Sequence, residues 1–118
     1  MKRILMIEDF PVLHKIYGDY LERHGEYKVE TVTDVDQALE LLQNIEFDFI
    51  LLDLLLPKIN GIQFLEQFDK PEKTKVIVLS DFNKPETVSE AINLGVADFL
   101  IKAENTPSQL LEKLNSYQ

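Results

Sequence analysis

The 118-residue sequence contains no cysteine, and its four glycines are widely spaced. Without cysteine there is neither a disulfide framework nor a thiolate metal site, which is compatible with a reducing compartment. The glycines, at positions 18, 25, 61 and 95, form neither a phosphate-binding P-loop nor a dinucleotide fingerprint. These absences argue against the common nucleotide-binding enzymes.

Long hydrophobic runs are also missing. The most apolar region, residues 47–56, is interrupted by Asp48 and Asp53, so it falls short of the roughly 20 apolar residues that a membrane helix needs. The apolar stretch near the start, from Ile4 to Ile7, is too short for a signal peptide. We therefore expect a cytoplasmic protein without membrane contact.

Positive charge is scarce. Lys and Arg number 12 against 21 Asp and Glu, which gives a net charge of -9. Such a charge repels nucleic-acid backbones and anionic lipids, so direct nucleic-acid binding is not expected. With 45% hydrophobic and 28% charged residues, the composition is that of a globular protein, and the length predicts a single domain over residues 1–118.

Short aliphatic runs alternate along the chain with amphipathic stretches. We predict that the aliphatic runs are five strands, each followed by a helix: Arg3–Ile7, Tyr27–Val32, Phe49–Leu52, Lys75–Leu79 and Asp98–Ile101. Strict alternation favours right-handed crossovers and a parallel sheet covered by helices on both faces. The predicted fold class is therefore doubly wound α/β, with a five-stranded parallel sheet.

The helical segments carry start signals and apolar faces. Asp34 with Gln37, and Thr106 with Gln109, have the spacing of capping boxes at the second and fifth helices. Apolar spacing places Ile16 among the buried residues of the first helix, and Ile92 among those of the less apolar fourth helix. His14 and His24 lack metal-ligand spacing, and we expect them to be solvated.

Polar residues follow four of the predicted strands directly. Glu8 and Asp9 end the first, Asp53 the third, Ser80 the fourth and Lys102 the fifth. In a doubly wound sheet, ligands bind beyond the carboxyl ends of the strands, where the strand order reverses. Taken alone, each of these residues is explained more simply as a helix cap, a turn residue or a surface residue. Their joint placement at the ends of four strands predicts one site.

Three carboxylates in one site repel each other and call for a cation, and oxygen ligands favour Mg²⁺. With the charge neutralised, Asp53 can attack a phosphoryl donor. Lys102 and the Ser80 hydroxyl can then hold oxygens of the transferring group. The residues themselves thus predict magnesium-dependent phosphoryl chemistry.

Longer motifs in the same regions carry a family resemblance. Glu8-Asp9, LLDLLLPKINGIQFL from Leu51 to Leu65, VIVLS ending at Ser80 and GVADFLIK ending at Lys102 stand in order with the expected gaps. The chain resembles a receiver domain of two-component response regulators, of the chemotaxis-regulator kind. The resemblance implies the flavodoxin-like strand order 2-1-3-4-5.

The resemblance also implies roles for individual residues. Asp53 corresponds to the phosphoacceptor, and Glu8, Asp9, Asp53 and the Leu55 carbonyl correspond to the Mg²⁺ ligands. Pro57 and Gly61 correspond to residues that shape the following loop.

Switching and partners follow from the same likeness. Lys102 would pair with the phosphate, Ser80 would move toward it, and Phe99 would follow as an aromatic switch, although Phe99 alone suggests core packing. A histidine kinase or histidine phosphotransfer protein would donate the group, and a downstream protein effector would read the fourth helix, fifth strand and fifth helix. The chain would be no enzyme beyond its own phosphorylation and slow autodephosphorylation, and phosphorylation-dependent dimerisation stays open.

Two positions depart from the family pattern. Asp81 follows Ser80 where a small residue is usual, and its charge could repel the phosphoryl group. Ala103 follows Lys102 where proline, often cis, is usual; a cis bond before alanine costs about 2.5–4 kcal/mol, so we predict a trans bond.

Two other functions remain as alternatives. A phosphorylation-independent pseudo-receiver would keep the fold and act as a protein-interaction module, and Asp81 is its best argument. A phosphatase with an aspartate nucleophile would want a second acid two residues on, where the chain has Leu55.

Overall fold

The computed structural model describes residues 1–117, in which strands and helices alternate. The strands are β1 (Lys2–Ile7), β2 (Tyr27–Val32), β3 (Phe49–Leu52), β4 (Lys75–Ser80) and β5 (Asp98–Ile101). The helices are α1 (Pro11–His24), α2 (Val35–Leu42), α3 (Gly61–Gln67), α4 (Pro85–Asn93) and α5 (Pro107–Asn115), with a short 3₁₀ helix at Lys102–Glu104. The predicted strands are confirmed to within one residue.

All five strands form one parallel sheet in the order β2-β1-β3-β4-β5. The doubly wound α/β class and the strand order 2-1-3-4-5 are therefore confirmed. The order reverses between β1 and β3, because the chain first adds β2 on one side of β1 and then β3 on the other. At that point Ile7, at the end of β1, pairs with Leu52, at the end of β3.

The core has two layers, one on each face of the sheet. Alternate strand residues point to opposite faces, so neighbours such as Leu51 and Leu52 belong to different clusters. One layer contains Phe64 of α3 and Ala91 of α4, and the other contains Leu110 of α5. Burying each such large apolar side chain contributes roughly 1.5–3 kcal/mol, which explains why the central strands are continuously aliphatic.

Helix caps follow the sequence signals with one difference. Thr106 and Gln109 form the predicted capping box at α5. Asp34 accepts the Gln37 backbone N–H at α2, but the Gln37 side chain accepts from the Thr33 N–H instead of from Asp34. The predicted capping box at α2 is thus only half formed.

Two predictions of buried residues are wrong. Ile16 of α1 is 48% exposed and Ile92 of α4 is 50% exposed. On α1 the buried face carries Tyr17, Gly18 and Leu21, and with 3.6 residues per turn Ile16 points away from that face. On α4 the buried residues are Thr87 and Ala91, and Ile92 likewise lies outside the face that they define.

The end of α4 requires a glycine. Gly95 has a φ of +96°, which side-chain-bearing residues rarely adopt, and it reverses the chain toward β5. Within residues 1–117, no helix is long and apolar enough to cross a membrane. The predicted domain also includes Gln118, which lies outside the described residues.

Candidate phosphoacceptor site

The carboxyl ends of four strands meet beside the reversal point of the sheet. Glu8 follows β1, Asp53 follows β3, Ser80 ends β4, and Lys102 follows β5. These strands are neighbours in the sheet and run in the same direction, so their last residues reach the same edge. The structure brings the predicted residues together.

Asp53 is the centre of this cluster. Its side chain is buried, with 7% of the residue exposed. Asp53 Oδ1 accepts the Ser80 hydroxyl at 2.9 Å and the Leu55 backbone N–H at 3.1 Å. Asp53 Oδ2 accepts from the Lys102 ammonium at 3.0 Å. Three donors thus hold both oxygens of the carboxylate.

Glu8, Asp9 and Asp53 form an acidic group. Each offers a carboxylate oxygen, and these oxygens lie within 4.8 Å of one another. Glu8 and Asp53 are buried, whereas Asp9 is exposed and leaves the group open to solvent. An oxygen-only set of this size suits a hard divalent ion such as Mg²⁺. The residues present therefore fit the predicted metal.

Lys102 joins Glu8 as well as Asp53, because its ammonium donates to both carboxylates. Burial raises the pKa of Glu8, and the Lys102 hydrogen bond only partly offsets this effect. Burial alone would lower the pKa of Lys102, but its hydrogen bonds to Glu8 and Asp53 outweigh burial and raise that pKa. The lysine is therefore held in its charged form between the two acids.

The loop after Asp53 depends on Gly61. A Cβ at this position would lie 2.8 Å from the Asp53 carbonyl oxygen and 2.8 Å from the Leu54 Cα. The Gly61 N–H also donates to the Leu54 carbonyl at 2.9 Å, which closes the loop. Leu55 is 57% exposed on this loop. Gly61 thus keeps the backbone around Asp53 and Leu55 compact.

The two predicted switch residues lie on adjacent strands. Ser80 is fully buried, and its hydroxyl also accepts the Phe82 backbone N–H at 3.2 Å. Phe99 is half-buried and packs against the core layer that contains α4. This packing agrees with the core role expected from the residue type, and the switch role of Phe99 stays a prediction.

The two departures from the family pattern meet in space. Asp81 Oδ1 accepts a hydrogen bond from the Ala103 backbone N–H at 2.8 Å. No cis peptide bond occurs within residues 1–117, so the predicted trans bond before Ala103 is confirmed.

Sequence reasoning missed two contacts made by α1. His14 is half-buried, and its Nε2 lies within hydrogen-bonding distance of the Glu8 carbonyl oxygen, so the prediction that it is solvated is wrong. The Tyr17 hydroxyl donates to the Asn105 carbonyl at 3.0 Å, just beyond Lys102, and burial raises the pKa of Tyr17. The position of Tyr17 on the sheet-facing stripe is a signal that could have suggested this contact.

A doubly wound sheet of strand order 2-1-3-4-5, with its acidic group at the reversal point, has the architecture and ligand-site position of the flavodoxin-like class. The family model for the response regulator receiver domain matches residues 4–115. The chain therefore belongs to the response regulator receiver domain family, whose members are generally signalling switches.

Individual relatives agree with this assignment. The chain is 29% identical to the chemotaxis protein CheY of Thermotoga maritima over 97% of its own length and 95% of the relative. It is 31% identical to the Regulator of RpoS of Escherichia coli K12, where the match covers 94% of this chain but only 33% of the longer relative. The crystal structure of a CheY-like receiver domain protein from Methanospirillum hungatei has a TM-score of 0.90 at 28% identity, and the match covers 99% and 93% of the two chains.

Proposed function

We propose that the chain is a phosphorylation-dependent signalling switch whose phosphoacceptor is Asp53. The observation that carries the proposal is the convergence on the Asp53 carboxylate of the Lys102 ammonium at 3.0 Å and the Ser80 hydroxyl at 2.9 Å. An ammonium and a hydroxyl beside a carboxylate nucleophile are the groups that can hold the oxygens of a transferring phosphoryl group.

The transfer itself needs little from the protein. An Asp53 oxygen forms the new P–O bond as the N–P bond of a donor phosphohistidine breaks, and the leaving imidazole nitrogen keeps the electron pair and takes up a proton. Lys102 is already charged and lies beside Asp53, so its ammonium is available to meet the added negative charge. Positioning and charge stabilisation are therefore the contributions of the chain.

A divalent ion completes the site in this proposal. Glu8, Asp9, Asp53 and the Leu55 carbonyl would hold Mg²⁺, which neutralises negative charge on the phosphoryl oxygens when bound. The grouping of the three carboxylates supports this assignment. Lys102 shares Glu8 and Asp53 with the ion, so its contacts with these acids would loosen as the metal enters.

Phosphorylation would then change the surface. A phosphoryl group adds nearly two negative charges at Asp53 and favours conformations in which Ser80 and Lys102 meet it. Movement of Ser80 would carry along the β4–α4 loop, because its hydroxyl is bonded to the Phe82 N–H. The proposed output surface is α4, β5 and α5, and Phe99 on β5 would report the change.

The proposed partners follow from the chemistry of the switch. A histidine kinase or a histidine phosphotransfer protein supplies the phosphoryl group, and a protein effector in the cytoplasm reads the output surface. Dimerisation on phosphorylation is a further outcome of the same surface change, which light scattering before and after phosphorylation would detect.

Incubation with acetyl phosphate and Mg²⁺ tests the proposal. Intact mass spectrometry should show addition of one phosphoryl group, which should disappear with Asp53→Asn and remain with Asp69→Asn, an exposed acid outside the site. An unmodified wild-type chain under conditions that label a known receiver would support the pseudo-receiver alternative instead. Repeated turnover of a phosphate ester would indicate a phosphatase.

A further inference from the structure

Asp81 and Ala103 form a single structural pair. Their hydrogen bond joins two loops, separated by 22 positions, that flank the site. It needs both departures from the family pattern: proline at position 103 would have no N–H to donate, and a small apolar residue at position 81 could not accept. The Asp81 carboxylate, which could repel the phosphoryl group, therefore also joins the two loops by accepting a hydrogen bond.

We propose that Asp81 is a positioning residue for Lys102. By holding the peptide that follows Lys102, its carboxylate keeps the ammonium directed at Asp53 in a chain that lacks the usual proline. The inference rests on the proposed function of Asp53 and adds a residue that controls how well this site is arranged.

The position of the bond within the sheet supports this role. Pairing between β4 and β5 ends with Ser80 opposite Ile101. The Asp81 side chain connects the segment that follows β4 to the segment that follows β5, beyond the point where the backbones of these strands stop pairing. Ala103 lies in the 3₁₀ helix that starts at Lys102, so a shift of its peptide moves the base of the lysine side chain.

The other contacts of this turn do not replace Asp81. The Asn105 side chain donates to the Ile101 carbonyl at 2.9 Å, within the same turn. The Tyr17 hydroxyl holds the Asn105 carbonyl from the side of α1. Among the described residues, Asp81 makes the only hydrogen bond between the segments 81–84 and 102–105. Without it, the described contacts that hold residues 103–105 are the bonds within the turn and the bond from α1, while the Lys102 ammonium keeps its bonds to Glu8 and Asp53.

Two substitutions separate positioning from charge. Asp81→Asn removes the negative charge but keeps an oxygen that can accept the Ala103 N–H, whereas Asp81→Ala removes both. Asp81 is exposed, so neither change disturbs the core. If Asp81 acts only by repelling the phosphoryl group, both variants accelerate phosphorylation equally. If it positions Lys102, the two variants differ in their rates of phosphorylation.

The first measurement is the rate of phosphorylation of the full chain by acetyl phosphate with saturating Mg²⁺. We expect Asp81→Asn to react at least as fast as wild type, and Asp81→Ala to react about fivefold more slowly than Asp81→Asn, the size of effect expected for one hydrogen bond. Placing both substitutions in an Ala103→Pro background should abolish the difference, because the donor is gone. Equal rates for the two variants with Ala103 in place would overturn the proposal.

A second measurement does not depend on phosphorylation. The two ε-methylene protons of Lys102 should have separate NMR shifts in wild type and Asp81→Asn, where the side chain is held, and should merge in Asp81→Ala. The Ala103 amide proton should shift upfield in Asp81→Ala as its hydrogen bond is lost. Unchanged Lys102 signals in Asp81→Ala would overturn the role of Asp81. An unmodified wild-type chain in the first measurement would instead contradict the proposed function and leave this second test valid.

Discussion

Lys102 and Glu8 are 94 positions apart in the sequence, yet the lysine ammonium donates to the glutamate carboxylate, and both side chains are largely buried. Only 4% of the Glu8 side chain and 16% of the Lys102 side chain are exposed. A buried pair of this kind contributes little net free energy, because desolvation offsets the attraction. Removing one partner is costly, since the other charge then stays buried and unpaired.

The first prediction concerns this pairing. Lys102→Met leaves Glu8 and Asp53 without a cation and should lower the free energy of unfolding by about 3 kcal/mol in metal-free buffer. Millimolar Mg²⁺ should restore part of the loss, because the ion takes over the neutralising role. Urea unfolding with and without Mg²⁺ measures both effects. Lys73→Met, which breaks an exposed pair with Glu46, should cost less than about 0.5 kcal/mol, and an equal loss in the two variants would contradict the prediction.

The second prediction concerns the metal ligands. Asp9→Asn removes one charge from the open side of the acidic group and should weaken Mg²⁺ binding by roughly tenfold, because affinity in oxygen sites depends on ligand charge. Isothermal titration calorimetry of the unphosphorylated chain measures the change. Asp19→Asn, an exposed acid on α1 outside the group, provides the control. Equal affinities for the two variants would remove Asp9 from the ligand set.

The third prediction uses two glycines as a matched pair. Gly61→Ala should lower stability by about 1–3 kcal/mol and slow phosphorylation, because its Cβ would meet backbone atoms of residues 53 and 54. Gly18→Ala should raise stability by about 0.5–1 kcal/mol, since its Cβ would lie 3.7 Å from the Val29 side chain and helix interiors favour alanine. Urea unfolding measures whether each substitution raises or lowers the free energy of unfolding. A stable Gly61→Ala protein with normal phosphorylation would contradict the tight packing of this loop.

The fourth prediction concerns pH. The Tyr117 hydroxyl donates to Asp98 at 3.1 Å. Burial is the larger cause that raises the Tyr117 pKa above its usual value of 10.0, and this hydrogen bond is the second. A raised pKa means that the neutral form stabilises the fold below the unfolded pKa, and that this contribution is lost as pH rises through the folded pKa. Tyr117→Phe should therefore cost about 0.5–1 kcal/mol near neutral pH, and the deficit should shrink above about pH 10.

Measurements of the free energy of unfolding of wild type, Tyr117→Phe and Tyr20→Phe between neutral pH and pH 11 test this dependence. Tyr20→Phe is the control for loss of a tyrosine hydroxyl, because the Tyr20 hydroxyl makes no hydrogen bond among residues 1–117 and its ring packs against His24. A difference in unfolding free energy between wild type and Tyr117→Phe that stays constant across this range would show that the contribution of the hydroxyl does not depend on its protonation.

The fifth prediction concerns the switch. Beryllofluoride, a phosphoryl mimic, should shift the NMR signals of the Phe99 ring in wild type. Ser80→Ala removes the hydroxyl that joins Asp53 to the Phe82 N–H, so the Phe99 response should fall at least severalfold while the mimic still binds. An undiminished response in Ser80→Ala would show that the signal leaves Asp53 by another route.

The strands and the cluster around Asp53 could be predicted because their signals are local. An aliphatic run followed by a polar residue specifies both a central strand and the point where it ends, and parallel neighbours bring such ends together. The errors occur where small residues belong to the buried face of a helix. The buried faces of α1 and α4 include Gly18 and Ala91, which a search for large apolar residues does not single out, and Ile16 and Ile92 lie outside those faces.

Contacts between loops were beyond prediction for a different reason. The bond between Asp81 and the Ala103 N–H depends on the conformations of two turns and one side-chain rotamer, none of which has a periodic signal. The His14 contact with the Glu8 carbonyl likewise depends on the angle at which α1 leaves β1.

The position of β5 at the edge of the sheet has a consequence for synthesis of the protein. Because β5, among the described residues, pairs only with β4, and β4 pairs with the earlier β3, Lys102 can reach Glu8 and Asp53 only after the chain has been made as far as β5. A shorter nascent chain carries Glu8, Asp9 and Asp53 without Lys102, their cationic partner. The cluster of charges around Asp53 is therefore completed by the last strand of the sheet.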